Sequence, residues 1–124
     1  MRKFMPVIIA AHLMLVSGAA MAMSVSVSWG PTKACFDSKS PPMTVSGVPD
    51  GTRKLKIAMV DLDAPSYPHG GGTVSWAGKG SLPYGAFSYK GPCPPSPHRY
   101  QFTVKAIGDG NKTLATAKAT KRFP

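Results

Sequence analysis

The segment 54-KLKIAMVDLD-63 alternates in the manner of a half-buried strand. Leu55, Ile57 and Met59 share one parity, and Lys54 and Lys56 take the other. Successive strand side chains point to opposite faces, so one face is apolar and one is wet. Asp61 and Asp63 have the parity of the apolar residues. On a regular strand both carboxylates would end the core face, where they are costly unless hydrogen-bonded. The continuation 61-DLDAPSYPHGGG-72 offers three partners: the amides of the glycine loop, His69, or a ligand.

A second strong strand, 99-RYQFTVKAI-107, repeats the arrangement. Tyr100, Phe102 and Val104 form its apolar face, and His98, just before it, has the same parity. Its approach, 91-GPCPPSPH-98, carries Pro92, Pro94, Pro95 and Pro97. Prolines fix the backbone and remove amide donors, so this segment suits the stiff wall of a pocket. Shorter strands are expected at 24-SVSVSW-29, 43-MTVSG-47, 73-TVSW-76, 86-AFSYK-90 and 113-TLATAKATK-121. The turns 49-PDG-51 and 108-GDGN-111 separate some of them. With 13 glycines and 13 prolines punctuating the chain, about seven short strands imply one all-β sandwich or barrel with no C-terminal helix.

The N-terminus reads differently. Arg2 and Lys3 precede the apolar run 5-MPVIIAAHLMLV-16 and the small-residue stretch 17-SGAAMA-22. That is the pattern of a secretory signal peptide, 1–22, cleaved after Ala22, with Ala20 as the alternative. The run is shorter than the roughly 20 apolar residues a bilayer span needs. The remaining 23–124 is one domain, expected in the periplasm or secreted, with no transmembrane segment. In an oxidising compartment its two cysteines, Cys35 and Cys93, are expected to form a disulfide. Cys93 would then clamp the Pro-rich wall to the segment around Cys35.

The formal charge of the 124-residue chain is +10, and five aspartates are its only acids. Removing Arg2 and Lys3 leaves +8 on the exported part. Nucleic acid is not the partner expected outside the cell. Anionic lipid, cell-wall polymer or a merely solvated lysine surface all fit the charge.

The exported part has two histidines, each beside the end of a strong strand. An acid–base pair of Asp61 and His69 lacks a nucleophile in a recognisable context, so catalysis is not expected. Asp61, Asp63, His69 and His98 match no tight metal-ligand spacing, and no cofactor motif is present. A protein-binding module, or an inhibitor of an envelope or secreted hydrolase, would use the Pro-rich wall and the 66-SYPHGGG-72 loop.

Two motifs in order, 61-DLDAP-65 with His69 and 91-GPCPPSPHRYQFTVKA-106, resemble the phosphatidylethanolamine-binding proteins, also called Raf kinase inhibitor-like proteins. The stretch 35-CFDSKSPPMTVSGVPDGTRKLKIAMVDLDAP-65 follows the same order, and the likeness spans roughly 35–107. The resemblance implies a β-sandwich with a small anion pocket at one end. It places Asp61, His69, Gly91, Pro92, Pro95, His98 and Tyr100 in that pocket, with Asp63 and Pro65 shaping the motif. It further implies a non-catalytic binder of an anionic group such as a phospholipid head-group phosphate. The aspartate would orient a histidine and nearby amides, and a backbone nest in 70-GGG-72 would add donors.

Overall fold

The computed structural model describes residues 3–6 and 22–124. Most of the expected signal peptide, 7–21, lies outside the described residues. Seven strands follow in order: β1 (Ser24–Val27), β2 (Met43–Ser46), β3 (Lys54–Asp61), β4 (Gly71–Ser75), β5 (Ser81–Leu82), β6 (His98–Ile107) and β7 (Thr113–Phe123). They form two sheets, β1-β2-β5 and β4-β3-β6-β7, antiparallel throughout. No α-helix occurs among the described residues, and the turn Asp109–Asn111 is a single 3₁₀ piece. None of these residues forms a helix long and apolar enough to cross a membrane.

The alternation seen in the sequence is the physical cause of the sandwich. Leu55, Ile57 and Met59 on β3 join Tyr100, Phe102 and Val104 on β6 in one buried face. Val27, Met43, Val45 and Leu82 of the smaller sheet complete the same core. Leu55, Ile57, Phe102 and Val104 are almost wholly removed from water. Each such side chain contributes about 1.5–3 kcal/mol by burial. Trp29, just past β1, ties the sheets together. Its indole N–H donates to the Arg122 carbonyl at 2.6 Å, and its ring meets the edge of Phe123 at 5.0 Å.

Two expected strands differ, and one strand was not expected. The third strand stops at Asp61 instead of running to 63, because Leu62–Asp63 turn away. The expected strand 86–90 forms only an isolated bridge, Ser88 to Lys39. Its alternation is real, since Phe87 and Tyr89 are buried, but no partner strand runs alongside it for more than one pair. The seventh strand is instead the two-residue β5, Ser81–Leu82, which is too short to show a period.

Candidate functional site

β3 and β6 end together. Asp61 lies directly opposite Tyr100, and His98, two residues back, opens β6. Diagonal neighbours across an antiparallel pair are within reach of long side chains. The His98 Nδ1 accordingly lies 2.6 Å from Asp61 Oδ2. The other oxygen, Oδ1, accepts the amide N–H groups of Asp63 at 2.9 Å and Ala64 at 3.1 Å. A buried carboxylate thus ends the apolar face, and the turn after it supplies its donors. Burial pushes the Asp61 pKa up. Hydrogen bonds from His98, Asp63 and Ala64, with the charge of His98, outweigh that push and leave it below the usual value.

His69 is buried on the facing loop. Its Nδ1 lies 2.7 Å from the Lys90 carbonyl, and the Lys90 amide donates back to the His69 carbonyl at 2.9 Å. Of the partners the sequence offered Asp61, His69 is not the one it meets. Asp61 orients His98, while backbone at Lys90 orients His69. In both rings Nδ1 is committed, and Nε2 has no hydrogen-bond partner among the described residues.

Both rings line one pocket of about 140 Å³ with Asp61, Tyr100, Tyr67 and Phe36. Pro94, Pro95, Cys93 and Ala64 close the remainder. Tyr100 fills the floor. Burial, then the neighbouring Asp61 charge, pushes its hydroxyl up to about 12, so it remains a donor at neutral pH.

The Pro-rich wall sits where the sequence placed it, and the Cys35–Cys93 disulfide holds it. Cys35 and Phe36 both adopt left-handed backbone, φ 62° and 56°. Such geometry costs a side-chain-bearing residue about 1–2 kcal/mol. The next residue, Asp37, fixes this loop. Its carboxylate accepts the amides of Lys33 and Lys39 and the Tyr84 hydroxyl, and its carbonyl accepts the Gly91 amide at 2.9 Å. The Lys33 amide bond and the Tyr84 bond chiefly hold the Asp37 pKa low.

Gly91 and Pro92 are buried behind the wall and do not line the pocket. A Cβ on Gly91 would stand 2.6 Å from the Asp37 carbonyl oxygen, so this position admits only glycine without backbone movement. Asp63 also lies outside. Its carboxylate accepts the Arg99 amide at 2.7 Å and meets the Arg99 guanidinium at 3.3 Å. These bonds, led by the Arg99 amide, hold its pKa low. The expected 70-GGG-72 nest does not form. Gly71 and Gly72 pair with Ala58 and Ile57 as the start of β4, and the Gly70 carbonyl accepts the Met59 amide.

Sequence reasoning missed the aromatic rim. Phe36 and Tyr67 stack at 6.0 Å, and the Lys90 ammonium lies 4.7 Å and 4.9 Å from their ring centres. Tyr67 also contacts the His69 ring at 4.8 Å. The available signal was Tyr67 inside 66-SYPH-69; Phe36 gave none, because its place depends on the disulfide. Among the described residues no three His, Cys, Asp or Glu side chains gather as metal ligands.

No family model and no curated protein matches the sequence. Solved structures do. The crystal structure of E. coli YbcL, described as a new member of the mammalian phosphatidylethanolamine-binding protein family, is similar with a TM-score of 0.62 and 24% identity, over 83% of this chain and 98% of that one. CT736 from Chlamydia trachomatis, described as a homologue of the same proteins, gives a TM-score of 0.61 and 21% identity over 83% and 97%. At these identities the likeness is one of fold. The chain thus has the all-β fold of the phosphatidylethanolamine-binding proteins, as 61-DLDAP-65 and 91-GPCPPSPHRYQFTVKA-106 led one to expect.

Proposed function

We propose that this chain is an exported, non-catalytic binder of a small anionic group, a phosphate or carboxylate, in the pocket between His69 and His98. One observation carries the reading. Both imidazoles are fixed through Nδ1 and keep Nε2 free at the same pocket. A protonated ring donates from both nitrogens. Two protonated rings would give the pocket two charge-assisted donors beside the Tyr100 hydroxyl. The Asp61 charge does not repel an anion in that state, because His98 balances it at 2.6 Å. At the rim, Lys90 adds a further positive charge.

The size of the site limits the ligand. Pockets that hold drug-sized ligands have roughly 300–1,000 Å³, and this one offers about 140 Å³. A head group fits and acyl chains stay outside. The aromatic and proline lining lowers the polarity around the charge, which strengthens each hydrogen bond.

Calorimetric titration of the chain with inorganic phosphate and with acetate tests this. Saturable binding, lost in both His69→Gln and His98→Gln, is expected. Absence of saturable heat, or unchanged binding in the two variants, contradicts it.

A further inference from the structure

The outer face of the four-stranded sheet carries a second feature, unrelated to the pocket. Its side chains stand in cross-strand rows fixed by the register. One row runs Thr73, Lys56, Lys105, Thr116. The next toward the pocket runs Gly71, Ala58, Thr103, Lys118. On the other side, Lys54 stands opposite Ser75. Lys56 and Lys105 are thus direct cross-strand neighbours, and both are exposed. Like charges in that relation destabilise a sheet. Lys54, Lys56 and Lys105 line one depression of about 440 Å³ together with Ile107, Asn111 and Thr113.

No acid relieves this repulsion. Asp37 is bound to the amides of Lys33 and Lys39, and Asp61 to His98. Asp63 pairs with Arg99, and Asp109 with Arg53 at 3.0 Å. Asp50 lies in the turn before β3. The charges in these rows are lysines and the rows hold no aromatic side chain; farther along the same face Arg99 and Arg122 stand opposite each other. Lysines act as point charges without the bidentate fork that reads individual phosphates. Single-stranded nucleic acid is gripped through stacked aromatics, which these rows lack. An extended sheet of negative charge is the complement.

We propose that the Lys54–Lys56–Lys105–Lys118 face docks on the surface of an anionic phospholipid bilayer. Negative charge on the bilayer attracts both ammonium groups and offsets the Lys56–Lys105 repulsion. The contact is electrostatic and weakens as salt shortens the screening length. It does not depend on the pocket's ligand.

The test is co-sedimentation of the full chain with vesicles of phosphatidylglycerol in phosphatidylcholine, and with pure phosphatidylcholine. The neutral vesicles report whatever the apolar N-terminal segment contributes. Partitioning to the anionic vesicles should exceed that to neutral ones and fall with added salt. Lys56→Gln/Lys105→Gln should lower it roughly 10- to 30-fold, whereas Lys33→Gln/Lys79→Gln, the same charge removed elsewhere, should lower it far less. Lys105→Glu should raise the melting temperature, since it converts a like pair to an opposite pair, while lowering anionic-vesicle binding about as much as the first double variant, for the same change of two charges. That variant separates docking from folding. Equal binding to both vesicle types overturns the proposal, as do equal losses in the two double variants. Retention on heparin without vesicle binding also overturns it and assigns the face to a soluble polyanion.

Discussion

Asp61 Oδ2 stands 2.6 Å from His98 Nδ1, joining the last residue of β3 to the first of β6. The same carboxylate holds two amides of the following turn. It therefore serves both the fold and the site. Asp61→Ala leaves the Asp63 amide and the His98 imidazole without their acceptor, while the Ala64 amide keeps the backbone carbonyl of position 61 at 3.2 Å. The expected loss is about 2–3 kcal/mol of stability, with a changed His98 ring signal, read by urea unfolding and NMR. Asp63→Ala, outside the pocket, should cost less and leave anion binding close to that of the parent. If the two variants lose anion binding equally, the pocket boundary drawn between them is wrong.

Acid stability follows from the same carboxylates. Asp37, Asp61 and Asp63 all have pKa values below the ordinary one in the folded chain. Between the folded and unfolded values, the unfolded chain binds more protons, so stability rises with pH there. Their contribution is complete above the unfolded aspartate value of about 3.9 and is lost as pH falls through the folded values. Melting temperature should hold steady from neutrality down to roughly pH 5 and decline below about pH 4. Asp61→Asn should make that decline shallower. A decline of the same steepness in Asp61→Asn would remove Asp61 from this account.

Gly91 acts on the pocket from behind it. A methyl group there meets backbone atoms of Asp37, at 2.6 Å and 2.9 Å. Gly91→Ala should displace the loop that carries Phe36 and weaken anion binding without touching the ligand. Gly70→Ala is the comparison. Gly70 has φ +70° but nothing within 4 Å of an added Cβ. It should cost only the left-handed penalty of about 1–2 kcal/mol. Thermal melts of the two variants check the order, and a more stable Gly91→Ala would contradict it.

The Cys35–Cys93 bridge closes a loop with a sequence separation of 58. Loop-closure entropy gives it roughly 4 kcal/mol. Reduction should lower the melting temperature by roughly 15–30 °C for a domain of this size. It should also release Phe36 from the stack with Tyr67, raising the Phe36 exposure to proteolysis by chymotrypsin. An unchanged melting temperature under reductant would remove the bridge from the account of stability.

Period and parity carried most of the fold. The faces of β3 and β6 were legible because both strands are long enough to show alternation, and their buried residues are those the pattern selects. β5 was not legible, since two residues have no period, and 86–90 alternates without a strand beside it. In the site, Asp61, His69 and His98 were visible as chemistry at strand ends, Tyr100 and Pro95 only through the family resemblance, and the five line one pocket. Which histidine Asp61 holds was not visible. That depends on cross-strand register, which places His98 diagonal to Asp61 and leaves His69 to the Lys90 backbone. The Phe36–Tyr67–Lys90 rim was hidden for a similar reason. It is assembled from three loops whose proximity is set by the disulfide and by Asp37.

The most direct measurement is an NMR titration of the His69 and His98 ring resonances with inorganic phosphate in mild acid. The account predicts saturable shifts at both rings with one common dissociation constant, lost at both in His98→Gln. Rings that stay silent in a well-dispersed spectrum, or that shift with unrelated affinities, would contradict a single anion pocket between them.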